Sequence, residues 1–272
     1  MKIEFSSLKE SAASFVLSDV SIAFANALRR AMTSEVMAFA IEDVRIYDNT
    51  SALFDEILTH RLGLIPLVTD PDNFVPRSHC SCNGAGCPRC TVTFTMSVEG
   101  PGVVMSGDLI SQDAVVRPAE DNIPVVKLEK GQKVVIEAQA YMERGLEHAK
   151  WSPVTVCGYK NYPVITHDER CDGCGLCVEV CPKEILQVTG SVIGVKEGAL
   201  ESCSLCRLCE QACLNSGIGD KPAIHIGMDE RRFLFTVESA GALPTVGIIK
   251  QGLLFLKKQS DELHEALSEI RG

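Results

Sequence analysis

Two runs of cysteine constrain this chain more than any other feature. Cys171, Cys174, Cys177 and Cys181 are spaced C-x2-C-x2-C-x3-C and followed by Pro182, and Cys203, Cys206, Cys209 and Cys213 repeat the spacing with Leu214 in the proline's place. The short gaps wrap three sulfurs around one corner of a cubane, and in paired runs the fourth cysteine of each ligates the other cluster. The spacing therefore predicts two [4Fe-4S] clusters. Cys171, Cys174, Cys177 and Cys213 would hold the first, and Cys203, Cys206, Cys209 and Cys181 the second. A disulfide-stapled or zinc-binding segment is the competing reading, and two full copies of the spacing weigh against it.

The remaining composition narrows the function classes. At 272 residues and 46% hydrophobic, the chain can bury a sizeable core and accommodate two domains, or one with insertions. No apolar run approaches the roughly eighteen residues of a membrane span. The start, Met1-Lys2-Ile3-Glu4-Phe5, lacks a signal-peptide stretch, so a cytoplasmic location is expected, with no membrane partner. The formal charge is −10. Iron-sulfur or zinc sites held by four thiolates each add about −2, so three would add roughly six more negative charges. A surface of that sign is a poor platform for phosphate backbones, and direct nucleic-acid contact is not expected.

The cysteine block, Thr166 to Pro222, is ferredoxin-like and interrupts a mixed α/β body, because strand-like residues resume at Ile224–Ile226 and Arg232–Val237. Before it, Ile3, Phe5 and Phe15–Leu17 suggest an opening hairpin. Ser18 or Asp19 would cap a helix from Ser21 to Glu35, Phe39–Tyr47 reads as a strand, and Ser51–Leu62 as a helix ending at Gly63. Val92, Phe94, Met96 and Val98 alternate as one face of a half-buried strand, and further strands are expected at Val103–Met105, Val125–Leu128 and Lys133–Met142. Near the carboxyl end, Val246, Ile249, Leu253, Leu256, Ser260, Leu263, Leu267 and Ile270 step alternately by three and four residues, with Lys257, Glu262, Glu265 and Glu269 flanking the stripe. That is a heptad seam, either between chains or against this chain's own core.

Cys80, Cys82, Cys87 and Cys90 form C-x-C-x4-C-x2-C among Gly84, Gly86 and Pro88. Four thiolates in a turn-rich loop make a closed tetrahedral site, so one structural zinc is expected there; two disulfides or free thiols are the alternatives. Cys157, alone, reads as a buried hydrophobe. No phosphate-binding glycine loop, nucleophile elbow or H-E-x-x-H is present, the six histidines are scattered, and pairs such as Glu42-Asp43 read as solvated faces. The chain declares no catalytic residue of its own.

Phe24-Ala25-Asn26-Ala27-Leu28-Arg29-Arg30-Ala31-Met32 resembles the assembly motif of the α subunits of multisubunit RNA polymerases, and Ala40–Val44 and His60–Leu67 match the same family. With the inserted cluster module, the chain resembles the archaeal D-type subunits, counterparts of the bacterial α amino-terminal domain and the third-largest subunit of eukaryotic polymerase II. The resemblance implies an α+β fold. It comprises a discontinuous α-like dimerisation domain (1–45 and 223–272), an inserted α/β domain carrying the Cys80–Cys90 loop (46–165) and an inserted ferredoxin-like domain (166–222). It further implies a non-catalytic assembly subunit of a DNA-directed RNA polymerase, a nucleotidyltransferase complex acting in transcription. Its partner would be a small α-like subunit, L, met through Asn26, Leu28, Arg29, Arg30, Met32, Val246, Ile249, Leu253, Leu256, Leu263 and Leu267. The pair would nucleate assembly with the second-largest subunit and the small subunits N and P. The clusters would be structural and open to redox regulation. A ferredoxin-type electron-transfer protein is the alternative, favoured by the cysteine runs taken alone and opposed by the lack of any flavin, nicotinamide or catalytic-metal signature elsewhere.

Overall fold

The computed structural model describes residues 1–217 and 219–270; Ile218, Arg271 and Gly272, which fall within the expected domain spans, lie outside the described residues. In chain order the elements begin with strands β1 (Lys2–Leu8) and β2 (Ala12–Ser18), helix α1 (Ile22–Ser34), strand β3 (Met37–Asn49) and helix α2 (Asp55–Gly63). Strands β4 (Val92–Glu99), β5 (Gly102–Met105), β6 (Ile110–Ser111), β7 (Pro124–Leu128), β8 (Lys133–Arg144) and β9 (Val154–His167) follow. The cysteine block contributes helix α3 (Leu176–Glu179), strands β10 (Leu186–Thr189) and β11 (Val192–Val195), and helix α4 (Leu208–Asn215). Strand β12 (Ile224–Ser239) and helix α5 (Thr245–Ile270) close the chain. The fold is α+β, and it divides into two compact units.

One unit comprises Met1–Ser6, Phe15–Ala25 and Tyr159–Phe235. Its strands belong to a four-stranded sheet of order β1-β2-β12-β9. Aromatic packing fills it: the rings of Phe15 and Phe235 stack with centroids 5.0 Å apart, and Tyr159 meets Phe233 edge-on at 5.5 Å. The cysteine block grows out of this unit as the hairpin β10–β11 and two short helices. Its entry and exit are clasped together. The Asp168 backbone N–H donates to the Ala223 carbonyl at 2.9 Å, and the Arg170 guanidinium donates to the Lys221 and Pro222 carbonyls, both at 3.1 Å.

The other unit comprises Ser7–Ser14, Asn26–Gly158 and Thr236–Gly272. Its sheet has the order β3-β8-β4-β6, all antiparallel where paired. The alternation of β4 and β8 sends Val92, Phe94, Met96, Val134, Ile136, Ala138 and Ala140 to one face, which α2 covers with Leu58 and Leu62. Here too α1 packs against α5. Leu28 and Met32 are fully buried, and Gly252 permits the close approach, since a Cβ built there would lie 2.9 Å from Met32 Cγ and 3.4 Å from the Met32 backbone nitrogen.

Three expectations are corrected. The cap of α1 is Ser21, whose hydroxyl accepts the Phe24 N–H at 3.2 Å, whereas Asp19 turns the preceding chain with φ +59°. Helix α2 starts at Asp55 rather than Ser51, because Asn49 captures that stretch as a turn: its side-chain oxygen accepts from the Ser51 N–H at 3.1 Å and its amide donates to the Leu53 carbonyl at 2.9 Å. Ile224–Ile226 and Arg232–Val237 are parts of a single strand, β12, whose polar middle hides its continuity in sequence.

The α1–α5 contact predicts a stability effect. Gly252→Leu should destabilise the chain by about 1–3 kcal/mol through overpacking against Met32, read as a lower urea midpoint at unchanged slope. A variant as stable as the parent would show that the helices are free to separate there.

Candidate metal centres and the helical seam

Each cysteine run folds the same way, and the reason is local. The residue before the second cysteine and the one after it take left-handed backbone in both copies: Gly173 (φ +71°) and Gly175 (φ +82°), then Leu205 (φ +57°) and Arg207 (φ +60°). These reversals curl each loop around its own sulfurs and lead into α3 or α4. Glycine is required at 173, where a Cβ would lie 2.9 Å from the Ser191 carbonyl carbon in the β10–β11 turn. Leu205 and Arg207 hold the same conformation at a cost of roughly 1–2 kcal/mol each, which the surrounding structure must offset.

The loops gather the sulfurs into two sets. Cys181, Cys203, Cys206 and Cys209 line one cavity, walled by Ile165, Ile185, Leu186 and Ile226. The grouping joins the last cysteine of the first run to the first three of the second. In the other set, burial pushes the Cys177 thiol up to about 11, and the neighbouring sulfurs of Cys174, Cys171 and Cys213 push it in the same direction. Burial likewise raises Cys209 to about 11, whereas the Leu208 backbone N–H lowers exposed Cys206. Backbone N–H groups point at sulfur: Ala223 donates to Cys213 Sγ at 3.2 Å and Leu205 to Cys203 Sγ at 3.5 Å. Four thiols per set, apolar walls and amide donors suit iron-sulfur ligation.

The loop before β4 forms a third centre. The Sγ atoms of Cys80, Cys82, Cys87 and Cys90 all lie within 4.8 Å of one another, with separations of 3.5 Å (Cys80–Cys87), 3.6 Å (Cys82–Cys90) and 3.9 Å (Cys87–Cys90). A tetrahedral ion with bonds of about 2.3 Å to sulfur has S···S edges of about 3.8 Å, so the arrangement fits one zinc-sized ion. All four cysteines are free thiols in this arrangement. The Cys87 backbone N–H, followed by the Cys80 thiol, holds Cys82 well below the usual thiol range. Arg77 supports the loop: its guanidinium reaches Asp43 at 3.4 Å and stacks over the Tyr141 ring at 4.7 Å.

The residues expected at a helical interface separate into two groups. Leu28, Met32 and Ile249 do not present side chains outward; the chain's own packing encloses them, which corrects their expected role as direct partner contacts. Asn26 and Arg30 are exposed, and Arg29 is half-buried, its guanidinium held by Asn26 Oδ1 at 3.0 and 3.2 Å. Along α5, Leu253 and Leu256 are half-buried, while Val246 (49%), Leu263 (61%), Leu267 (54%) and Ile270 (80%) stand exposed. Cys157 is largely enclosed, and its thiol, raised by burial, approaches the Arg29 carbonyl at 3.7 Å.

Sequence reasoning missed Lys160. It lies on β9, a strand whose periodicity gives no signal, and its ammonium donates to the carbonyls of Glu201 (2.7 Å) and Cys203 (2.6 Å).

Comparison with known proteins follows the same division. Residues 44–155 match the RNA polymerase Rpb3/RpoA insert domain, and residues 164–217 match the 4Fe-4S dicluster domain. The chain is 47% identical over 271 residues to the DNA-directed RNA polymerase subunit Rpo3 of Methanosarcina mazei, covering 99% of each chain. It is 45% identical to the same subunit of Methanosarcina acetivorans and 42% to that of Archaeoglobus fulgidus, again over 99% of each chain. Full-length likeness to polymerase subunits disfavours the electron-transfer reading. By its whole length, its α-like insert domain and its dicluster domain, the chain belongs to the Rpo3 family of archaeal DNA-directed RNA polymerase subunits.

Proposed function

We propose that this polymerase subunit is a non-catalytic assembly platform that pairs with a small α-like subunit, L, through the outer face of α5. The exposed apolar stripe of α5 carries this reading. A helix of 26 residues is about 39 Å long, and residues 257–270 of it are exposed throughout. Fourteen residues of unsupported helix are marginal in water, and Leu263, Leu267 and Ile270 would each contribute about 1.5–3 kcal/mol if buried by a partner. In this reading the discontinuous domain is 1–45 with 223–272, the inserted α/β domain 46–165 and the cluster domain 166–222; the two domain matches at 44–155 and 164–217 support the inner boundaries. The pair then receives the second-largest subunit and subunits N and P in the cytoplasm. None of the helices is long and apolar enough to cross a membrane among the described residues. The charge of −10 argues against direct nucleic-acid contact.

Two [4Fe-4S] clusters complete the subunit, one on Cys171, Cys174, Cys177 and Cys213 and the other on Cys203, Cys206, Cys209 and Cys181, with one zinc on Cys80, Cys82, Cys87 and Cys90. The sulfur separations support the zinc, the shared cavity supports the second set, and the influence of Cys171, Cys174 and Cys213 on Cys177 supports the first. The clusters' role is structural first, because sulfurs occupy the centre of a module with few other buried side chains.

Anaerobic co-expression with L, followed by size-exclusion chromatography and metal analysis, tests the platform reading. The expected peak is a heterodimer with about eight irons and one zinc per subunit. Leu263→Glu with Leu267→Glu should weaken pairing at least about a hundredfold, as losing two buried apolar contacts implies; undiminished co-elution would place the seam elsewhere. Loading should also depend on pH. Because Cys177 and Cys209 are raised to about 11, both are protonated at neutral pH, and ligation must expel those protons. Iron retention against a chelator should therefore rise from pH 6 to pH 9, by up to tenfold per unit for each proton released, and a flat profile would refute it.

A further inference from the structure

The two halves of the cluster module repeat one another in backbone but not in charge. Position for position, Asp172 of the first run corresponds to Ser204 of the second, and Gly175 to Arg207. Around the first set the nearby cation is neutralised: Arg170 is held by Asp168, with Nη2 2.6 Å from Oδ2 and Nε 3.2 Å from Oδ1. Asp172 adds a negative charge there, its Oδ1 accepting the Cys174 N–H at 3.1 Å. Beside the second set stands Lys160, half-buried, its ammonium bonded only to the carbonyls of Glu201 and Cys203 and paired with no carboxylate among the described residues. Lys183 and Arg207 also line that cavity, but Lys183 is exposed and Arg207 has Glu210 at 3.8 Å.

We propose that Lys160 makes the cluster held by Cys181, Cys203, Cys206 and Cys209 the easier of the two to reduce. The inference rests on the two-cluster reading above. Each cluster takes one electron from an external low-potential reductant such as dithionite, its core passing from 2+ to 1+ with no bond to a thiolate made or broken. A positive charge held in no ion pair stabilises the electron added beside it, and partial burial shields that charge from screening by salt. The same burial lowers Lys160 below the usual lysine range, while Cys203 and, more weakly, Glu201 favour its charged form. Lys160 is a positioning residue in this role: it touches the Cys203 carbonyl, not the cluster, and it fixes the start of the second loop to β9.

The test is a redox titration of the anaerobically loaded full chain, followed by electron paramagnetic resonance, with iron and sulfide counted on the same sample. The parent should hold about eight irons and titrate in two one-electron waves. Cys206→Ser should displace the higher wave, which assigns it to the second set. Lys160→Met should lower that wave by roughly 59 mV or more, a tenfold change in the ratio of reduced to oxidised cluster, and leave the other wave unmoved. Lys160→Gln, which keeps a donor for the carbonyls without the charge, should do the same and serves where the methionine variant loses iron. Lys160→Arg should restore the parent value. Eight irons with waves that ignore the charge at 160, or that move together, would overturn this inference while leaving the two-cluster reading intact. Four irons in the parent would overturn both.

Discussion

The fold of the cysteine module depends on its sulfurs. The buried cluster between Cys177 and Ile226 holds Cys177, Ile185, Leu186, Ile193, Cys203, Cys209, Cys213, Ala223, Ile224 and Ile226, so four of its ten side chains are cysteine. A segment this short cannot bury enough apolar surface to offset its chain entropy, and metal–thiolate bonds are the usual remedy. The left-handed residues make the same point from the backbone. Gly173 and Gly175 adopt that conformation freely, whereas Leu205 and Arg207 do so at a cost that the gathered sulfurs must offset. The Asp168–Arg170 clasp then closes the module at its base, where Asp168 is held down to about 2 by Arg170. Protonating that carboxylate would require strongly acidic conditions, so the clasp persists across the neutral range.

The long terminal helix uses a different economy of burial. Its first turns bury Thr245, which bonds the Lys9 and Glu10 carbonyls, then Ile248, Ile249 and Gly252, the last against Met32 and Leu28 of α1, and its later turns bury nothing. One helix therefore carries two faces in succession, an inner one that anchors it and an outer one left for other company. The anchoring explains why Leu28 and Met32, although inside the motif that resembles the polymerase α family, act from within: they set the position of α5 and thereby of the exposed stripe.

Sequence reading succeeded where one local pattern ruled unopposed, and failed where a local side chain competed with that pattern or where the cause lay far along the chain. The cysteine spacings, the alternation of β4 and the run of α1 each reflect contacts a few residues apart, and each is visible in the chain as written. The heptad of α5 was visible too, but a period of three and four cannot say which leucines face inward, because that depends on where α1 lies. The start of α2 was misjudged because a single side chain, Asn49, captures Ser51 and Leu53 in a turn that competes with the helix. Strand β12 looked like two because the charged Asp229, Glu230 and Arg231 interrupt its apolar residues, although the backbone runs on. Lys160 was beyond reach altogether, being brought to Cys203 by a strand some forty positions upstream.

The crossing of the two runs has a thermodynamic consequence. Cys181 closes the first run, just beyond α3, yet lines the cavity of the second, and Cys213, on α4, lies beside Cys177 of the first. A group that binds either set must therefore order both helices and both loops. Once one set is ligated, the chain entropy of closing the other has largely been removed, so the second binds a nearly preformed site. The same linkage runs in reverse: stripping one set frees a ligand-bearing segment of the other. Two centres built on separate, uncrossed runs would load and fail one at a time. In the two-cluster reading proposed above, the crossed arrangement would instead make occupancy a property of the whole module and tie the order of some fifty residues to the state of either centre.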